Sequence, residues 1–299
     1  MKRQYSVILI VFFSIICLIL TSSCQSGSLS KIKQGFADVN DTRLYYEQIG
    51  KGHPLILIHG FTLDTRMWDD QFEFFGKQYQ VVRYDLRGYG KSELPTMEEY
   101  NHTDDLKALM DHLEISNAYV IGLSMGGAIA IRFTLDYPEY VDALISVDAT
   151  LGGYRWSPKY GTSLDSISII GREVDHNAAL QKWLDFVIFE PAMENPEVAN
   201  RLNEIIIDYS GYHWCSDTVN WGTSIDPRAI HILDEIHVPT LVIVGSLDAP
   251  DFDTIASILE ENIRDARKVV IDNVGHMSNM EKPEEFNEIV LDFLNGIEK

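Results

Sequence analysis

The sequence predicts an α/β fold, in which a mostly parallel sheet of about eight strands carries helices on both faces and a helical insertion. Short runs of β-branched and apolar residues alternate with helical patterns along most of the chain. The later runs are continuously apolar, which is typical of strands that are covered on both faces. Residues 153–228 lack any strand pattern, and this interruption predicts a helical cap over the strand ends.

The individual elements follow from the same patterns. Two alternating runs flank Asn40 and Asp41, which predicts a hairpin. Six further strand candidates lie at residues 54–60, 80–86, 118–124, 143–149, 239–245 and 268–273. The main helix candidates between and after them lie at residues 69–77, 100–114, 125–137, 252–263 and 283–296. Reactive groups on such a sheet gather at the carboxyl ends of the strands.

Composition and length set the limits of this interpretation. The 299 residues are 45% hydrophobic and 23% charged, which are the proportions of a globular protein with a sizeable core. A net charge of −21 excludes nucleic acid as an expected partner, because phosphate binding needs a basic surface. We expect one core domain formed by residues 35–152 and 229–299, with the cap at 153–228 inserted between them.

The first residues have a different character. A basic head precedes a nearly unbroken apolar run at residues 7–20, which is too short to span a bilayer comfortably and suits a signal peptide. Small residues before Cys24 resemble a bacterial lipoprotein cleavage site, although Thr21 stands where an aliphatic residue is usual. This pattern predicts a signal peptide at 1–23, a lipid on Cys24, a tether at 24–34 and attachment to a membrane of the bacterial cell envelope. An uncleaved anchor or ordinary secretion is the alternative.

The stretch around Ser124 carries the first chemical signal. Gly122-Leu123-Ser124-Met125-Gly126 fits the pattern G-x-S-x-G, and it stands between a predicted strand and a predicted helix. A tight turn at this point lifts the serine hydroxyl above the sheet, and small neighbours avoid clashes. Ser124 is therefore the candidate nucleophile.

A serine hydroxyl is a weak nucleophile that needs a base oriented by an acid. His276 follows the last predicted strand, and Asp248 follows the strand before it. The order Ser, Asp, His and the position of all three at strand ends suit a catalytic triad on this sheet. Asp148, at the end of a neighbouring strand, is a rival for the acid.

A negatively charged oxygen in a reaction intermediate needs two preorganised donors. The backbone N–H of Met125 directly follows the nucleophile, and the N–H of Phe61, after His59 and Gly60, is the second candidate. We expect His59 to be a structural hydrogen-bonding residue. We also expect Arg87, in the glycine-rich loop after the 80–86 strand, to brace that loop.

These motifs together resemble those of the α/β-hydrolases, in particular the capped serine esterases and lactonases. The resemblance covers residue 36 to the C-terminus and rests on motifs in family order: "HGF", "YDLRGYGKS", "GLSMGGAIA", "GSLD" and "GHM". The segment "GLSMGG" is similar to the elbow of 3-oxoadipate enol-lactonases and related carboxylesterases. The resemblance implies the triad Ser124, Asp248 and His276, and a serine at the elbow disfavours epoxide hydrolases and dehalogenases.

The expected function is hydrolysis of an ester or lactone of a small to medium, partly apolar molecule, without a cofactor or metal. Cleavage of C–C bonds, amides or thioesters and perhydrolysis stay open for the same triad. A ligand receptor with little turnover and an inactive structural lipoprotein are alternatives of other classes. Four of the five tryptophans fall in the cap, where they line an apolar pocket or form the core of the cap: Trp156, Trp183, Trp214 and Trp221.

Overall fold

The computed structural model describes residues 31–96, 99–215 and 226–297. The predictions for the signal peptide, for Cys24, for most of the tether and for Trp221 lie outside these residues. Within the described part of the chain, every helix is too short or too polar to cross a membrane.

An eight-stranded, mostly parallel sheet confirms the predicted fold class. Its strands are β1 (Lys33–Val39), β2 (Thr42–Gly50), β3 (Pro54–Ile58), β4 (Gln80–Tyr84), β5 (Ala118–Leu123), β6 (Val141–Val147), β7 (Thr240–Gly245) and β8 (Ala266–Ile271). They lie in the order β1-β2-β4-β3-β5-β6-β7-β8. Strand β2 runs antiparallel to its two neighbours, and the strands from β3 to β8 are parallel to one another.

The ends of the sheet differ from its centre in the way the sequence predicts. Every residue of β5 and of β7 is buried, because helices cover both faces. Strand β1 is largely exposed and pairs with β2 through the predicted hairpin. Asn40 and Asp41 form the turn of this hairpin with φ of 46° and 55°, and both residue types tolerate the positive φ that tight hairpins require.

Helices pack on both faces of the sheet. Those of the core are α1 (Asp69–Phe75), α2 (His102–His112), α3 (Met125–Asp136), α9 (Pro250–Asn262), α10 (Ser278–Glu281) and α11 (Pro283–Ile297). Five more lie between β6 and β7: α4 (Pro158–Glu173), α5 (His176–Leu184), α6 (Glu190–Met193), α7 (Pro196–Ile207) and α8 (Tyr212–Cys215). We call the described residues 153–215 and 226–228 the helical insertion, and these residues contain no strand.

Side-chain contacts join the helical insertion to the core. The Asp251 carboxylate, in the first turn of α9, accepts hydrogen bonds from the Ser157 N–H at 2.8 Å and hydroxyl at 2.7 Å, and from the Tyr154 hydroxyl at 3.2 Å. The indole N–H of Trp183 donates to the Thr62 hydroxyl at 2.7 Å. These contacts place the insertion over the carboxyl ends of the central strands.

Candidate active site

Ser124 occupies the sharp turn between β5 and α3. Its backbone has φ 57° and ψ −115°, a combination that costs a non-glycine residue free energy and that recurs at functional sites. The turn is held by a hydrogen bond from the Ser124 N–H to the carbonyl oxygen of Val147, at 2.9 Å. A Cβ on Gly122 would lie 2.1 Å from the carbonyl oxygen of Gly126, so this close crossing requires glycine.

His276 and Asp248 meet in the loops that follow β8 and β7. The His276 Nδ1 lies 2.7 Å from Asp248 Oδ2, and the two side chains are 2% and 1% exposed. A second Asp248 oxygen accepts from the Ala249 N–H at 2.7 Å. Because a carboxylate accepts, Nδ1 is the nitrogen that donates in this bond, and Nε2 is the other ring nitrogen. The buried Nε2 has no hydrogen-bond partner among the described residues.

Asp148, the rival acid, lies behind this pair and makes different contacts. Its carboxylate accepts from the Gly245 N–H at 2.8 Å and from the Ser278 hydroxyl at 2.7 Å. Burial, followed by the charge of Asp248, raises the pKa of Asp148 well above its usual value. The structure therefore pairs His276 with Asp248 and gives Asp148 to other partners.

Asp148, Asp248 and His276 also form a cluster whose ligand-type atoms lie within 4.8 Å of one another. These are atom types that bind metal ions. Here the Nδ1 of His276 is engaged by Asp248, and both oxygens of Asp148 are engaged by Gly245 and Ser278. These contacts form a hydrogen-bonded network, in which Nε2 of His276 has no hydrogen-bond partner among the described residues.

The two predicted oxyanion donors belong to the residues that follow β3 and β5. Met125 is the first residue of α3, where backbone N–H groups have no partner within the helix. Phe61 follows β3, and its carbonyl oxygen accepts from the Thr62 hydroxyl at 2.6 Å. Both residues line the same cavity as Ser124.

That cavity has a volume of about 830 Å³. It lies between the helical insertion and the carboxyl ends of the central strands, which we call the sheet edge. Its wall combines apolar and aromatic side chains with charged side chains on α3, on α4 and in the segment before β7. The aromatic lining residues are Phe61, Trp156, Tyr160, Trp183, His213 and Trp214, and the charged ones are Arg132, Asp165, Arg172 and Arg228. Neither His276 nor Asp248 is among the described residues that line the cavity.

His59 and Arg87 have the structural roles that the sequence predicts. The Nε2 of His59 accepts from the Leu86 N–H at 2.9 Å, and its Nδ1 donates to the Gly60 carbonyl at 2.8 Å. Burial lowers the pKa of His59 to about 4, so this ring is neutral. Arg87 forms a buried, two-pronged ion pair with Asp105 and braces its loop.

Sequence reasoning missed two residues that support His276. The Glu281 carboxylate accepts from the N–H groups of Gly275 and Met277, at 3.0 and 3.1 Å, and so holds the backbone on both sides of the histidine. Ser278 joins the same loop to Asp148. The only signal was the clustering of polar residues directly after His276, which does not identify their partners.

In this sheet a strained serine stands at the strand-to-helix turn after β5, and a buried His–Asp pair lies in the loops after β7 and β8. The fold and this site together indicate the class of protein. The family model for the alpha/beta hydrolase fold matches residues 53–283, and the chain belongs to this family.

Two individual relatives are similar to most of this chain. The chain is 32% identical over 264 residues to AB hydrolase superfamily protein YisY of Bacillus subtilis, which covers 85% of this chain and 96% of the relative. It is 28% identical to 2-hydroxy-6-oxo-6-phenylhexa-2,4-dienoate hydrolase of Comamonas testosteroni, over 90% and 97% of the two chains.

Two solved structures also superpose on most of this chain. The enol-lactonase of Burkholderia xenovorans superposes with a TM-score of 0.76 at 27% identity, over 87% of this chain and 100% of that one. A thermophilic esterase of Thermogutta terrifontis superposes with a TM-score of 0.76 at 26% identity, over 89% and 100%.

Proposed function

We propose that this protein is a serine hydrolase that cleaves a carboxylic ester or lactone of a small to medium, partly apolar substrate. Ser124 is the nucleophile, His276 the general base and Asp248 the residue that orients the imidazole. The N–H groups of Phe61 and Met125 stabilise the oxyanion. The observation that carries the proposal is the strained Ser124 in the cavity wall, on a sheet whose neighbouring strand ends hold the His276–Asp248 pair.

In this mechanism Ser124 Oγ attacks the carbonyl carbon while His276 Nε2 takes the hydroxyl proton. The tetrahedral intermediate then expels the alcohol, which receives that proton from His276, and an acyl-enzyme remains. Water adds to the acyl group with His276 again as the base, and Ser124 leaves with the proton returned. Asp248 keeps Nδ1 protonated and stabilises the imidazolium that forms in each half-reaction.

The apolar and aromatic part of the cavity wall supports a partly apolar acyl or alcohol group, because burial of such surface contributes binding free energy in proportion to its area. Similarity to the enol-lactonase and to the thermophilic esterase supports ester and lactone substrates. The helical insertion, which supplies most of the aromatic lining, is in this proposal a cap that sets substrate shape.

Labelling with a fluorophosphonate probe tests the proposal directly. We expect wild-type protein to be labelled at Ser124 and to hydrolyse short aryl esters. Ser124→Ala should lose labelling and lower kcat by about 10⁴-fold or more. Ser257→Ala, on the outer face of α9, is the matched control that keeps both. Labelling that persists in Ser124→Ala would reject the assignment.

C–C bond hydrolysis is a second candidate, because one relative is named as a hydrolase of 2-hydroxy-6-oxo-6-phenylhexa-2,4-dienoate. A substrate panel of esters, lactones, amides and that dienoate separates the two candidates by kcat/KM. A preference for the dienoate over every ester and lactone would move the function to C–C cleavage.

We also propose that Cys24, which lies outside the described residues, carries lipid and holds the protein to a membrane of the cell envelope. The support is the sequence pattern before Cys24, and acyl chains contribute roughly 0.8 kcal/mol per buried CH₂. Intact mass should show loss of residues 1–23 with lipid on Cys24. A mature N-terminus elsewhere, with protein in the aqueous phase of a detergent partition, would indicate ordinary secretion.

A further inference from the structure

Asp148 connects the three strand ends that carry or adjoin the proposed triad. Its own N–H donates to the Ile243 carbonyl at 2.9 Å, and its side chain binds Gly245, three residues before Asp248. It also binds Ser278, two residues after His276. The backbone at Asp148 has φ 41°, a left-handed value that aspartate tolerates better than most side chains, and the residue is 1% exposed.

Three carboxyl groups surround His276. Asp248 accepts its Nδ1–H, Glu281 on α10 holds the backbone on either side of it, and Asp148 lies in the same 4.8 Å cluster. Two buried carboxylates at this spacing disfavour each other's ionisation. Asp248 accepts from the His276 imidazole, whereas Asp148 contacts the uncharged Gly245 N–H and Ser278 hydroxyl. Burial, followed by the charge of Asp248, raises the pKa of Asp148.

We propose that Asp148 is a positioning residue of the proposed reaction, which in its uncharged form sets the spacing between the loop that bears Asp248 and the loop that bears His276. In this form one oxygen accepts from the Gly245 N–H. The other carries the proton and donates to the Ser278 hydroxyl across the same 2.7 Å contact, which reverses the bond that an ionised Asp148 accepts from Ser278. Removing the bridge lets the two loops drift by fractions of an ångström. This inference rests on the proposed function above.

An uncharged carboxyl group and a carboxamide make the same pattern of bonds at this site. In Asp148→Asn the carbonyl oxygen of the introduced amide would accept from Gly245, and its NH₂ would donate to Ser278. We therefore expect Asp148→Asn to keep most of the wild-type kcat, and Asp148→Ala to lower kcat by about 100-fold with little change in KM. Ser278→Ala should have a smaller effect, and the double variant with Asp148→Ala should be no slower than Asp148→Ala.

The pH profile separates positioning from charge. If Asp148 is uncharged, the acid limb of kcat/KM stays in place in Asp148→Asn. If it is ionised, its replacement removes a negative charge that favours imidazolium, and the acid limb moves to lower pH. Asp105→Ala removes a carboxylate that is equally buried but paired with Arg87, and should lower Tm without lowering kcat of the folded protein.

A readout independent of turnover is the far-downfield proton resonance of His276 Nδ1–H. We expect it to be sharp in wild type and Asp148→Asn and broadened by exchange in Asp148→Ala. Wild-type kcat with a sharp resonance in Asp148→Ala would overturn the inference. So would an Asp148→Asn variant that is as slow as Asp148→Ala and has a displaced acid limb. Wild-type protein without labelling or turnover would reject the proposed function instead, and the resonance would still test the bridge.

Discussion

The sheet edge and the helical insertion face each other across one cavity, but different interactions stabilise the structure of each region. At the sheet edge, backbone hydrogen bonds and positive φ angles fix Ser124 and Asp148. In the insertion, aromatic rings pack on one another, as where Trp156 stacks on Tyr160 with ring centres 4.3 Å apart. This difference indicates that the main chain sets the positions of the proposed catalytic residues, whereas side chains set the shape of the proposed substrate pocket.

This division has a physical cause. A reacting group must be held within fractions of an ångström, and the hydrogen bonds of a buried sheet supply that precision. A pocket wall needs only volume and polarity, which side chains supply without any change of the backbone. Substitutions at the sheet edge should therefore affect kcat, and substitutions in the insertion should affect selectivity.

The largest effect should come from Asp248→Asn. The amide donates to Nδ1 of His276 and stabilises the wrong tautomer, so kcat should fall by about 10⁴-fold with little loss of stability. Asp148→Asn is the matched control, one strand away, and should keep most of the activity. Steady-state kinetics at several pH values measure both. The reverse ranking would assign the acid to the end of β6 and remove the basis for an uncharged Asp148.

Two tryptophans of the insertion, Trp183 and Trp156, should behave differently from each other. Trp183 is 4% exposed and bonded to Thr62, so Trp183→Ala should lower the free energy of unfolding by about 3–5 kcal/mol. Trp156 lies at the cavity and is only partly buried, so Trp156→Ala should change the preferred acyl length at smaller cost.

Urea unfolding and a series of p-nitrophenyl esters test this pair. If both variants unfold without any change of chain-length preference, the rings are the core of the insertion and do not select substrate. Trp68, buried in the core away from this cavity, serves as the control for simple loss of packing.

A smaller effect concerns the stability of the protein in acid. We compare one histidine of the core with one histidine of the helical insertion. Burial lowers the pKa of His102, at the start of α2, to about 3, and that of His213, in α8, to about 4. In the unfolded chain each histidine has the ordinary pKa of about 6.5 and binds a proton below that pH. The folded state therefore becomes less stable, relative to the unfolded state, as the pH falls from 6.5 toward the lowered pKa of each histidine. From pH 7 to pH 5 each contributes a loss of about 2 kcal/mol.

Urea unfolding of His102→Leu at these two pH values should recover about that loss. Asp85 acts in the opposite direction, because burial raises its pKa to about 6 and the folded state gains stability as it protonates. The wild-type protein shows the sum, and only the difference between variant and wild type reports on His102. An unchanged pH dependence in the variant would mean that His102 is protonated in the folded state.

Much of the sheet edge could be predicted because its signals are local. The elbow glycines, the continuous strands and the hairpin at Asn40 are all legible within a few residues. Local sequence does not distinguish Asp148 from Asp248 as the acid, because each follows a predicted strand. In the structure, the contact with His276 distinguishes them. The contacts of Asp251 with Ser157 and of Glu281 with the His276 loop depend on tertiary packing, which no local pattern encodes.

The bridge between Asp148 and Ser278 joins residues 130 positions apart, and Gln71 reaches 216 positions along the chain to Asn287. A ribosome therefore releases Ser124, the proposed nucleophile, into solution long before His276, the proposed base, has been made. Until β8 has added to the sheet and α11 has docked against α1, the proposed base cannot take its place near Ser124. The order of synthesis thus delays the proposed reactivity to the last step, and a chain that is cut short before His276 should keep its serine but not this activity.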